Sequence, residues 1–434
     1  EFMKVIIYKI FILVGFFIPI FTNAELYVGV GKANITPPIG TPSAGYAQRK
    51  GEGMVGVHDP LLAIALFIET EDKTIIFCSV DHLGFTYEMV QNITQKVQKR
   101  PELSKCEVYI ASSHTHSGGG AYLNIPIIGE YIAGIYNSEV TRFYEEQTIK
   151  AIVQASQNKV LAKIGIGYGK AKQLSKYRGL WPLSIEPLAD VTIIKATTLD
   201  GCPLAVLFNY PIHPTVLTSQ NRLFSSDFVG YAREEIQDLL GAYIQPIYFN
   251  GAQGGIIPLN SSEENHFKAC SLLGKSLAET VKEIWSATAT SETLRVDSCK
   301  MSYEFLPQPT PQGLKLPLDV YKSEINILVF NQKHAFITIP GELSCLYDKR
   351  LKTSGNEIGY QQVSIFGLVN DAHGYIILPE SWERKTFESN LSFGGYLYGE
   401  RIEKIAQHLL HHSFQKTNFK QNCGLNIKRK YTSE

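Results

Sequence analysis

Seven short runs rich in β-branched and aromatic residues alternate along this chain with stretches whose apolar residues recur at helical spacing, and that alternation constrains the fold more than any other feature. The strand-like runs are LLAIALFIE (61–69), TIIFCSV (74–80), CEVYIAS (106–112), VTIIKAT (191–197), PLAVLFNY (203–210), INILVF (325–330) and HAFITI (334–339). Helical patterns fall at about 87–99, 139–157, 229–240, 264–286 and 395–411. Such a chain is α/β, or mixed α+β. With 434 residues, 44% of them hydrophobic and 19% charged, it can bury a large core, and it has no low-complexity linker that would divide it, so a single large domain is expected.

The polar residues that interrupt this pattern fall where the predicted strands end. CEVYIAS runs into SHTHSGGG, which places His114 and His116 two positions apart and follows them with Gly118, Gly119 and Gly120. In an extended segment residues i and i+2 point to the same side, so both imidazoles are expected to face one pocket, with the glycines letting backbone approach it. PLAVLFNY leads to His213, and Pro214 directly after it ends regular structure. HAFITI is broken by Pro340-Gly341 and followed by Glu342; a fourth break gathers Asp371, His373 and Tyr375 around a glycine. Strand-end loops are where α/β folds bind ligands. Two imidazoles, a carboxylate and an open position make a catalytic zinc shell, although this nonlocal spacing is weakly specific alone.

Charge and targeting signals narrow the function further. Forty-one basic and forty-one acidic residues cancel, so the large basic field used to bind nucleic acid is missing, and a compact neutral substrate or a lipid surface is the easier partner. From Met3 onward, Lys4 and Lys9, an apolar run over Ile10 to Phe21 and the small-residue end Thr22-Asn23-Ala24 read as a secretory signal removed before Glu25. Secretion, or export to a periplasm, is the expectation; an uncleaved membrane anchor is the alternative. Glu1-Phe2 reads as a cloning remnant, residues 25–412 as the globular domain, and 413–434 as a basic tail. Seven scattered cysteines without a CxxC disfavour a zinc ribbon and leave at least one thiol unpaired.

A resemblance adds to this reading. VGVGKANITPPIGTPSAGYA, VHDPLLAIAL, SSHTHSGGG, NYPIHPTVL, SSDFVGYAREEI, NGAQGG, IPGELS and GYIILPESWE occur in the order and approximate spacing of the neutral, non-lysosomal ceramidase family. The resemblance implies a zinc amidase that cleaves N-acyl sphingoid lipids. It implies His114, His213, Glu342 and Tyr375 as ligands of Zn2+, His116 as a group beside the metal, and Arg178 of KYRGLWP as an arginine reaching the pocket.

Departures from the family pattern qualify what is implied. Where the family carries G-D-x-S-P-N, with a serine assigned a catalytic role, this chain has GGIIPLN, with Gly255 for the aspartate and Ile257 for the serine. Ser261 and Ser262 follow shortly after, but past a proline. Phe387-Glu388 occupies the approximate place of a family tyrosine motif, and Ile64 that of a common arginine. The sequence ends soon after the Tyr375 segment, so the family's C-terminal immunoglobulin-like domain is not expected in it. Three readings follow: a zinc hydrolase of amide or related acyl bonds in which metal-activated water attacks and His116 and Arg178 stabilise the oxyanion; a ceramidase proper; or a noncatalytic zinc-containing lipid-binding protein. Its oligomeric state is not legible from sequence.

Overall fold

The computed structural model describes residues 25–172, 174–178, 189–259 and 263–426. The leader over 1–24, and Ser261 and Ser262, lie outside the described residues. Eight strands form the larger sheet: β1 (Tyr27–Asn34), β2 (Leu62–Glu69), β3 (Thr74–Val80), β4 (Glu107–Ser112), β5 (Val160–Lys170), β6 (Asp190–Thr198), β7 (Pro203–Tyr210) and β8 (Gln245–Asn250). Their spatial order is β8-β7-β6-β5-β1-β2-β3-β4. Most neighbours are antiparallel, but β3/β4 and β7/β8 run parallel. A second sheet follows in the order β9 (Val296–Phe305), β10 (Tyr321–Phe330), β11 (His334–Ile339) and β12 (Gln362–Gly367), with β11/β12 parallel.

Period-two burial explains why the central runs read as continuously apolar. In β2, Ala63, Ala65 and Phe67 face one core, and Ile64, Leu66 and Ile68 face another. The first core is completed by helices α1 (Tyr87–Gln98) and α3 (Ser138–Gln157). The second lies between the two sheets, where Phe77, Phe249 and Phe366 pack with ring centroids 5.0 to 6.1 Å apart. Helices α4 (Phe228–Leu240) and α5 (His266–Ala287) cover β7 and β8, while α6 (Cys345–Ile358) and α8 (Tyr398–Asn426) cover the outer face of the second sheet. The result is a four-layer αββα arrangement, each sheet covered by helices on its outer face.

One consequence of the sheet's curl matters for function. β7 and β4 stand far apart in strand order, yet Ser79 of β3 donates to the carbonyl of Tyr248 in β8 at 2.6 Å, and Asn250, at the end of β8, donates to the carbonyl of Ser113 at 3.0 Å. The two edges of the larger sheet therefore approach one another, and the loops after β4 and β7 meet.

One expectation needs correction. Residues 413–434 do not all form a separate tail, because α8 continues to Asn426, Ser413 is buried, and Phe414 packs against Tyr360 at 5.3 Å. Asp227 caps α4, accepting from the Phe228 amide at 2.8 Å, a contact worth about 1 kcal/mol. Cys78, Cys106, Cys202, Cys270, Cys299 and Cys345 are free thiols. Among the described residues no helix is long and apolar enough to cross a membrane.

Candidate metal centre

The loop after β4 brings the first two imidazoles together, though not by the pleat of an extended strand. β4 ends at Ser112, and His114 takes a left-handed backbone (φ 72°), costly for a non-glycine residue and held by its amide donating to the His82 carbonyl at 2.9 Å. This turn, not alternation, sets the His114 and His116 rings 5.0 Å apart, edge to face. The glycines do not open space for a ligand either. A Cβ on Gly119 would lie 2.1 Å from the Tyr144 hydroxyl, and one on Gly120 would lie 2.3 Å from the Ala133 carbonyl, so both are required by packing against the neighbouring helices.

His213, at the end of β7, sits with its ring 5.0 Å from that of His114. The nitrogens of His114, His116 and His213 lie within 4.8 Å of one another, a set that could hold a metal ion. His114 Nδ1 bonds the Leu83 carbonyl at 2.7 Å and His213 Nδ1 bonds the Ile256 carbonyl at 2.8 Å. Each Nδ1 therefore carries a proton, and Nε2 is the nitrogen each ring turns toward the centre, the arrangement a metal needs.

Glu342 and Tyr375 are brought side by side by a two-residue parallel ladder, Glu342–Leu343 against Tyr375–Ile376. Glu342 Oε2 lies 2.8 Å from His213 Nε2 and 3.4 Å from His114 Nε2, and the Tyr375 hydroxyl lies 3.3 Å from His213 Nε2. Burial pushes the Glu342 carboxyl up, but His114 and His213 together hold it well below the usual carboxylate range. The same burial, opposed by Glu342, lowers His213, and it drives His116 well below an ordinary imidazole with help from His114 and His213. Imidazoles gathered around a carboxylate are a borderline N/O donor set that suits zinc. Neither ring nitrogen of His116 has a hydrogen-bond partner among the described residues, so the fit extends to an unsatisfied buried group facing the same centre.

Arg178 completes the set. It follows the short strand Ser175–Tyr177, which pairs with Ile256–Pro258, and its amide donates to the Gly255 carbonyl at 2.8 Å. Its guanidinium donates to the Tyr375 hydroxyl at 2.6 Å and to Glu388 Oε1 at 2.9 Å. Burial works against the charge on Arg178, while Tyr375 and Glu388 more than restore it. Burial and Glu342 raise the Tyr375 phenol well above its ordinary value, although Arg178 opposes this. Gly255, at φ +83°, has its own reason for lacking a side chain: a Cβ would come 2.6 Å from the Tyr177 ring.

Of the residues singled out in sequence, His114, His116, Arg178, His213, Glu342 and Tyr375 are all gathered here, whereas Asp371 and His373 are not. Asp371 accepts from the Tyr87 amide, Tyr321 and Ser323, and His373 bonds Tyr303 and Tyr398; both brace the loop that carries Tyr375. Sequence reasoning missed the role of Glu388, a 4% exposed carboxylate on the 3₁₀ turn Phe387–Leu391. Glu388→Ala should therefore leave the guanidinium without its carboxylate and destabilise the chain by about 2–3 kcal/mol in denaturant titration, discounted because Arg178 is partly solvated. An unchanged midpoint would show that the pair contributes nothing.

Comparison with known proteins places this geometry. A family model described as neutral/alkaline non-lysosomal ceramidase, N-terminal, matches residues 26–242, which include His114, His116, Arg178 and His213 but not Glu342 or Tyr375. The chain is 26% identical over 225 residues to neutral ceramidase of Drosophila melanogaster, covering 48% of this chain and 32% of that protein. It is 25% identical over 226 residues to neutral ceramidase A of Dictyostelium discoideum, covering 48% and 31%. The matched region thus spans about a third of the curated relatives' length. The crystal structure of neutral ceramidase from Pseudomonas aeruginosa superposes with a TM-score of 0.82 at 16% identity, over 91% of this chain and 75% of that one, which establishes the shared fold.

Proposed function

Because this chain belongs to the neutral/alkaline non-lysosomal ceramidase family, we propose that it is a zinc-dependent hydrolase of a lipid N-acyl amide, acting at the centre formed by His114, His116, His213, Glu342 and Tyr375. The observation that carries the proposal is the convergence of His114 Nε2 and His213 Nε2 on one buried carboxylate oxygen of Glu342, with the Tyr375 hydroxyl and Arg178 alongside. His114, His213, Glu342 and Tyr375 would hold the zinc. Bound there, zinc would supply Lewis acidity for an amide carbonyl and lower the pKa of water.

The chain's own groups account for the rest. The Leu83 and Ile256 carbonyls hold the Nδ1 side of the two ligand imidazoles, so that Nε2 is the nitrogen each would present to the metal. Arg178, kept charged by Glu388, donates to the Tyr375 oxygen and so places two hydrogen-bonding groups where negative charge develops on the carbonyl oxygen. His116, kept neutral by burial and without a partner among the described residues, has one N–H to donate to that oxygen and one ring lone pair to take a proton from the attacking water, which it can then pass to the leaving amine. Ile257 stands where the family pattern has a serine, so water, not a hydroxyl at that position, is the nucleophile of this proposal.

The test is hydrolysis of a panel of N-acyl lipids, ceramide among them, by the zinc-loaded chain. Fatty acid release is expected, and Ser261→Ala and Ser262→Ala should stay within a few-fold of the parent, since loss of a covalent nucleophile costs several orders of magnitude. An acyl-enzyme trapped on either serine would overturn the water mechanism. Complete inactivity would favour the lipid-binding reading.

The apolar leader supports secretion or periplasmic export, and exposed apolar groups support contact with a lipid surface. The helix α2 (Ile128–Ala133) packs on the wall beside His116 through the Gly45 amide, which donates to the Ile132 carbonyl, and around it Ile127, Tyr131 and Ile135 are at least 66% exposed. Ile127→Glu with Ile135→Glu should reduce sedimentation with phosphatidylcholine vesicles while leaving hydrolysis of a detergent-dispersed substrate near the parent level. Equal sedimentation would remove this surface from the account.

A further inference from the structure

Resting on the functional reading above, we infer that Arg49, together with Tyr46, is a positioning residue that fixes the imidazole of His116 for reaction. The need for such a device follows from His116 itself. Both ring nitrogens lack a partner among the described residues, so no hydrogen bond orients the ring as the Leu83 and Ile256 carbonyls orient His114 and His213. Its orientation must come from packing and from its backbone.

Both come from one segment. Gly45, at φ +101°, lies so close that a Cβ there would sit 2.5 Å from His116 Nδ1, and the Tyr46 ring lies 4.7 Å from the His116 ring. One turn of 3₁₀ helix, Ala47–Arg49, then folds Arg49 back beneath them. The guanidinium is 5% exposed, and its partners are Ser43 Oγ and the carbonyls of His116, Thr218 at 3.0 Å and Ser219 at 3.2 Å. Its centre also stacks over the Tyr46 ring at 4.9 Å, and the Tyr46 hydroxyl donates to the Thr215 carbonyl at 3.4 Å.

A buried guanidinium that uses its donors on backbone carbonyls is costly, and burial lowers Arg49 to about 10. A hydrophobic residue would hold the loops together at less cost. What the fork geometry provides instead is a rigid link between the His116 carbonyl and the loop that follows His213, including Thr218 in its own left-handed conformation (φ 59°). The link fixes the backbone from which the His116 ring projects, and Tyr46 fixes the ring face.

The experiment is a mutant cycle in the zinc-loaded full chain. Arg49→Gln is expected to lower kcat by about 10- to 100-fold, as small misplacements of reacting groups do, with KM and zinc content within about two-fold of the parent. Arg49→Lys should recover part of the loss. In a His116→Ala background Arg49→Gln should cost nothing further, because its effect passes through the missing ring. The same fold loss in that background, or zinc falling in parallel with kcat, would overturn the inference. Should Arg49→Gln not fold, Tyr46→Leu carries the same expectations. Absence of hydrolysis by the parent would instead sink the functional reading alone, and the inference would be decided by ring 1H–15N spectra of 15N-histidine-labelled protein. There the His116 signals should shift or broaden in Arg49→Gln, and unchanged signals would overturn it.

Discussion

His213→Ala is expected to strip the purified chain of zinc and, with it, of amide hydrolysis. The imidazole contributes Nε2 within 2.8 Å of Glu342 and 3.3 Å of Tyr375, so it touches both of the other chemical types in the proposed ligand set. Removing a group that merely orients a ligand lowers metal affinity by about 10- to 100-fold, so removing a ligand outright should exceed that range. A thermal shift on adding zinc, present in the parent because metal binds only the folded centre, should disappear with it. His334, His408 and His411 serve as controls, since they lie outside the site; His334 pairs instead with Tyr168 at 2.8 Å. Full zinc occupancy in His213→Ala would refute the assignment.

The second large effect separates two roles for His116. The nitrogens of His116, His114 and His213 are close enough for a three-imidazole metal site, while Glu342 and Tyr375 complete a different four-ligand set without it. On the proposed mechanism His116→Ala keeps zinc and loses turnover by about 10²-fold or more, because the group stabilises charge only as it develops. If His116 is a ligand, zinc is lost first and turnover follows. Metal content and turnover measured on the same preparation decide between the two, and retained zinc with retained turnover would remove His116 from the chemistry altogether.

How far the sequence anticipates this centre depends on what kind of signal each residue gives. His114, His213 and Glu342 follow long apolar strands and stand beside a proline, a glycine or a second histidine, so the end of a period-two pattern marks them. Glu388 and Arg49 follow no such pattern. Each is a charged residue on a one-turn 3₁₀ helix, a composition that ordinarily reads as solvated surface, and only docking of distant loops buries it. The same division holds for the fold. The seven apolar runs correspond to β2, β3, β4, β6, β7, β10 and β11. β5 was obscured by its glycines at 165, 167 and 169, and β9 by its mixed polar sequence VDSCKMSYEF, half of which faces away from the core. The glycines do have a structural cause: Cβ atoms on Gly165 and Gly167 would meet Ala289 and Thr288 at 2.1 and 2.0 Å.

The central claim, that a metal held by these residues makes the chain a lipid-amide hydrolase, is tested most directly by removing and restoring the metal. The parent protein is stripped with a chelator and titrated with zinc while fatty acid release from an N-acyl lipid is followed. The account predicts that the stripped protein is inactive and that activity returns linearly, reaching its plateau at about one zinc per chain, the stoichiometry of a single closed ligand set. Full hydrolysis by the metal-free protein, or none by the fully loaded one, would contradict it.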